Sequence, residues 1–81
     1  MKLPRDVSGA ELEKALRRTW GYECTRQTGS HRRLSTRENG EHHLTVPAHA
    51  PLKPGTLRAI LSEVGKHHQM SVAQVLERLR L

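Results

Sequence analysis

Apolar positions along this 81-residue chain change period twice. Between Ser8 and Gly21, Leu12, Ala15, Leu16, Thr19 and Trp20 form one stripe at helical spacing. Ser8 and Glu11 have the spacing of a capping box, Val7 can pack across the N-terminus onto Leu12, and Gly21 supplies the stop. Glu13 stands four residues before Arg17, a pairing expected on the exposed side of this helix. From Tyr22 the period falls to two. Three strands are predicted at about 22–28, 31–36 and 42–46, separated by Gly29-Ser30 and by a turn containing Asn39-Gly40. Tyr22 with Cys24, Arg32 with Leu34, and Leu44 with Val46 share the phase that should pack on helices. His31 and Arg33 fall in the opposite, polar phase. Cys24 is expected to be a buried strand residue.

The helical period returns after the proline-rich connector "VPAHAPLKPGT". A second helix is predicted to begin near Pro54, carrying Leu57, Ile60, Leu61 and Val64 on one face, with Gly65 ending it and "KHHQ" as a link. A third follows at about 71–81. Its capping box is Ser71 with Gln74, Met70 can pack on Val75, and its stripe is Val72, Val75, Leu76 and Leu79. The order α-β-β-β-α-α, with helices covering one face of a three-stranded antiparallel sheet, predicts an α+β sandwich. Its length allows one domain with a modest core.

Charge sharpens this picture. The formal net charge is +6, and residues 1–37 hold nine basic side chains against four acidic ones. No acid interrupts Cys24 to Arg37, where Arg26, Arg32, Arg33 and Arg37 follow one another. Such a block favours a polyanion or an acidic protein partner. With no Phe, one Trp and one Tyr, the chain lacks an aromatic platform for stacking bases. Contacts to a nucleic acid would therefore go mainly to backbone and groove. No apolar run reaches the roughly 20 residues of a membrane span, and "MKLPRDVSGAE" lacks the apolar middle of a signal peptide, so a cytoplasmic location is expected.

Several chemistries fit poorly. The six histidines suggest zinc, but adjacent histidines on a strand point to opposite faces, the single Cys24 has no second thiolate, and no His-Glu-x-x-His spacing occurs. Ordinary surface histidines and no metal or cofactor are the expectation. Ser30 precedes His31, but no nucleophile elbow surrounds it. Asp6, Glu23, Glu38 and Glu41 do not assemble into a carboxylate pair or a magnesium site. What remains is His31 beside arginines on a sheet. An imidazole titrating near ~6.5 can move a proton to or from RNA oxygens, and arginine presents planar donors to phosphate.

Two blocks, "WGYECTRQTGSHRRLS" and "LTVPAHAPLKPGTLRAILSEVG", resemble the HicA toxins, the YcfA-like mRNA interferases of type II toxin-antitoxin systems. The resemblance runs from about Ser8 to Gly65. It rests on Gly29-Ser30-His31 in the hairpin and on Val46-Pro47, His49, Lys53, Gly55, Thr56, Leu57 and Ile60. It implies a double-stranded-RNA-binding-like α-β-β-β-α fold, with the helix at 71–81 as an addition. It also implies metal-independent endoribonuclease activity on mRNA with His31 catalytic, and restraint by a HicB-like antitoxin. On this reading Gly29, Ser30, Arg26, Arg32, Arg33 and Lys53 contact RNA. His49 is either an accessory proton donor or a residue that holds the connector. Arg32 and Leu34 stand where the family often has a second histidine and an aromatic. A non-catalytic RNA-binding module of the same fold, or a domain that meets only an acidic protein, would share the charge pattern without the chemistry.

Overall fold

The structure, a computed structural model, describes residues 2–81. Six elements follow in order: α1 Gly9–Trp20, β1 Glu23–Thr28, β2 His31–Thr36, β3 His42–Pro47, α2 Pro54–His68 and α3 Val72–Leu79. The strands form one antiparallel sheet with β2 in the middle. This is the predicted α+β arrangement, α-β-β-β-α with a further helix. Both predicted capping boxes form: Ser8 accepts from the Glu11 amide and Ser71 from the Gln74 amide, and each partner's carboxylate or carboxamide reaches back.

The core lies between the helices and one sheet face. Leu12, Leu16, Leu34, Leu44, Val46, Leu57, Leu61, Val64, Val75 and Leu79 are all within 2 % of complete burial. Burying such side chains contributes roughly 1.5–3 kcal/mol each, so this cluster dominates what opposes chain entropy. Val75 and Leu79 place α3 within that core, and the Arg18 guanidinium donates to the Leu79 carbonyl. The added helix is a packing element. Close approach of α1 to the sheet depends on Gly9: a β-carbon there would lie 2.0 Å from the Pro47 carbonyl oxygen, while the Gly9 amide donates to the His49 carbonyl at 2.9 Å.

Four expectations are corrected. Gly65 does not end α2, which runs on through Lys66, His67 and His68 to a left-handed Gln69. The glycine is needed because Met70 turns back over it: a β-carbon would meet the Met70 carbonyl oxygen at 2.5 Å. Glu13 is buried rather than exposed, since Arg32 reaches it from the sheet as well as Arg17 from its own helix. Cys24 is half-buried at the margin of the core, its thiol donating to the Arg26 carbonyl. Finally, His42, His67 and His68 are not ordinary surface residues but one packed cluster.

Candidate functional site

His31 opens β2 directly after a two-residue turn. Gly29 takes φ +59°, the left-handed conformation that a type II′ hairpin needs at its first central position and that glycine adopts without steric cost. The pairing Thr28 with His31, and His31 with Pro47, holds the histidine at the end of the sheet, and the Ser30 carbonyl accepts from the Ala48 amide. The His31 ring is exposed on the sheet face away from the core and forms no hydrogen bond among the described residues.

A bulge in β1 determines which arginines share that face. The register shifts between Cys24 and Arg26, so no β2 residue stands opposite Thr25, and Arg26 comes to stand directly opposite Arg33. Both are exposed, two strand positions from His31, and the Arg33 guanidinium donates to Thr45 Oγ1 at 3.2 Å. Like charges placed opposite one another on a sheet repel, so this pair adds nothing to folding. Arg32 points the other way. Its guanidinium donates to both Glu13 carboxylate oxygens and to Gln27 Oε1, and the Glu13 hydrogen bond and charge hold its pKa above the ordinary arginine value. The structure thus brings Arg26 and Arg33 together with His31 and ties Arg32 to α1.

Beside His31 a shallow groove runs between β3 and α2, lined by Thr45, Pro47, Thr56, Ile60 and Glu63. Over Pro47 and Thr56 it joins a second depression that carries His49 and Lys53. Lys53 is the N-cap of α2, Pro54 follows in the first turn, and no acid stands in that turn. Amides and dipole at such a terminus favour an anion. The His49 ring is exposed and bonds to nothing among the described residues; its backbone carbonyl, not its side chain, fastens the connector to Gly9. The Ser30 side chain is likewise exposed. Thr45 and Glu63 were not singled out from sequence, and Thr56 entered only as part of the family motif. Thr56 and Glu63 lie seven residues apart on one helix face, but only packing of α2 on β3 sets them opposite the strand.

At the far end of β2 and β3 the histidines are built in. His68 is 6 % exposed, stacks on Trp20 at 4.5 Å, accepts from the Asn39 amide at Nδ1 and donates from Nε2 to the Tyr22 hydroxyl. Tyr22 donates in turn to His42 Nδ1 at 2.8 Å. His67 stacks on His42 and donates to the Glu38 and Gly40 carbonyls. Burial, with His67, His42 and Arg78 nearby, lowers the His68 pKa to about 4. Burial and His67 lower that of His42 against an opposing pull from Glu63. Burial with the charges of Glu63 and Glu38 raises that of Tyr22. Among the described residues no three His, Cys, Asp or Glu side chains converge to hold a metal ion.

The arrangement is a free histidine on a basic sheet face of an α+β domain, and comparison gives its family. A family model described as "HicA toxin of bacterial toxin-antitoxin" matches residues 9–66. The chain belongs to the HicA toxin family, and a toxin of a toxin-antitoxin system has an antitoxin as its partner. Searches of curated proteins and of solved structures returned no match. No helix among the described residues is long and apolar enough to cross a membrane.

Proposed function

We propose that the chain is a cytoplasmic endoribonuclease toxin that cleaves mRNA with His31 as its proton-transfer residue. One observation carries the reading: an imidazole without an internal partner stands two strand positions from a pair of opposed, exposed arginines. A phosphodiester laid across this face relieves the repulsion between Arg26 and Arg33, and their planar donors suit phosphate oxygens. His31 then takes the proton from the attacking 2′-hydroxyl or gives one to the departing oxygen. Lys53 and the first turn of α2 receive a neighbouring phosphate. Gly29 shapes the turn, and Ser30 is free to bond a phosphate oxygen. His49, at the other side of Pro47, is the accessory histidine. Arg32 contributes by anchoring β2 to α1 through Glu13.

A HicB-like antitoxin would silence this site by covering His31 and setting carboxylates against Arg26 and Arg33, where like charge would be costly. The same cations would also serve a binding module of the double-stranded-RNA-binding kind, in which His31 has no chemical part. Induced expression in bacteria separates the two. The wild-type chain should arrest growth and shorten cellular mRNA, and a folded His31→Ala chain at equal abundance should do neither. Equal arrest by both would remove the catalytic reading.

A further inference from the structure

The groove beside His31 holds one group that this chemistry leaves idle. Glu63 lines it from α2, is exposed, and has no cation partner among the described residues. The Lys and Arg ion pairs there are Glu13 with Arg17 and with Arg32, and Glu41 contacts His43. Folding does not require it: Glu63 forms no hydrogen bond or Lys or Arg ion pair among the described residues, and only its charge reaches His42 and Tyr22. Phosphate binding does not account for it either, since a bare carboxylate repels a polyanion. Its surroundings suit a nucleobase. Pro47, Ala59 and Ile60 provide an apolar floor, and Thr45 and Thr56 place hydroxyls along it.

We propose that the groove between β3 and α2 is a base-reading subsite in which Glu63 accepts N–H donors from the base beside the scissile phosphate, selecting guanine and rejecting uracil. Guanine presents N1–H and N2–H side by side, matching two carboxylate oxygens. Adenine and cytosine offer an exocyclic amino group alone. Uracil offers a single N–H between two carbonyls, which a carboxylate repels. Apolar contact with the floor substitutes for the aromatic stacking that this chain lacks. The proposal rests on RNA being the ligand of this face, though not on its being cut.

The test uses His31→Ala protein, so that turnover does not interfere, and fluorescence anisotropy with short labelled oligouridylates carrying one central guanine or none. The guanine strand should bind on the order of tenfold more tightly, as one bidentate contact allows. Adding Glu63→Ala should erase that ratio while the all-uridine strand binds as well or better, because a repelling charge has gone. A misfolded variant would instead lose both strands. An unchanged ratio in the Glu63→Ala protein, or no preference before it, overturns the subsite. Absence of RNA binding by the His31→Ala protein itself overturns the RNA reading with it. Guanine preference in a protein whose wild type cuts nothing keeps the subsite and removes only the ribonuclease.

Discussion

The two ends of the β2–β3 ladder both carry histidines, and the difference between them separates a folding role from the proposed catalytic one. At the His42 end each ring is held by a hydrogen bond and by a stacked neighbour: His68 by Asn39, Tyr22 and Trp20, His42 by Tyr22 and His67, and His67 by two carbonyls and His42. At the His31 end the rings of His31 and His49 face the groove system with no internal partner among the described residues. A side chain whose bonds are all internal stabilises the fold; one held in position by its backbone alone is available to a ligand. Strand alternation makes both ends possible, since His42 turns inward to Tyr22 while neighbouring His43 turns out to Ser35.

Exchanging the two roles is the most direct way to break this comparison. His31→Ala should lower RNA cleavage by about 100-fold or more, the scale of a lost general acid or base, with no change in thermal midpoint. His68→Ala should do the reverse. It removes a buried ring from Trp20 and leaves Tyr22 and Asn39 without their partner, costing about 2–4 kcal/mol in urea unfolding, while cleavage per folded molecule persists. An inactive but fully stable His68→Ala protein would contradict the division.

Acid should act on the cluster end first. A histidine whose folded pKa lies near 4, against about 6.5 unfolded, binds its proton more readily in the unfolded chain. Stability is therefore intact above about pH 6.5 and is lost progressively as pH falls toward 4, with His42 adding in the same direction. Urea midpoints measured from neutral pH down to this window should fall more steeply for the wild type than for a His68→Gln protein. Parallel curves would show that His68 does not control the response.

The smallest effect sharpens the contrast between adjacent residues on one strand. Arg33→Ala should weaken RNA binding a few-fold and reduce the salt slope by about one, as removal of one phosphate contact does. Arg32→Ala should leave the slope unchanged and lower the unfolding midpoint, because Glu13 then stays buried with one cation fewer. Equal salt slopes for the two variants would place both arginines, or neither, on RNA.

Local signals were readable from the chain, and contacts between distant segments were not. Ser8 with Glu11 and Ser71 with Gln74 marked their helices because a capping box is complete within four residues. Gly29-Ser30 and Asn39-Gly40 marked the turns for the same reason. His31 was legible because strand phase and its turn together determine which face it takes. Gly65 was misread since a glycine after an apolar stripe has the pattern of a helix stop, whereas its actual task, admitting the Met70 carbonyl, belongs to the next turn of chain. Glu13 was assigned to Arg17 four residues on; its second partner, Arg32, comes from the sheet. The histidine cluster draws on β3 and the end of α2, and the groove on β2, β3 and α2, so neither exists before the elements pack.

His31 is proposed to carry out proton transfer on RNA, with His49 as the accessory histidine and the exposed arginines and Lys53 holding phosphates. Purified wild-type and His31→Ala proteins, matched for folding by circular dichroism, should be incubated with RNA in excess EDTA and the fragments followed over time. The account predicts cleavage by the wild type and intact RNA with the variant, although both bind it. Fragments of the same size and rate from the His31→Ala protein would contradict it.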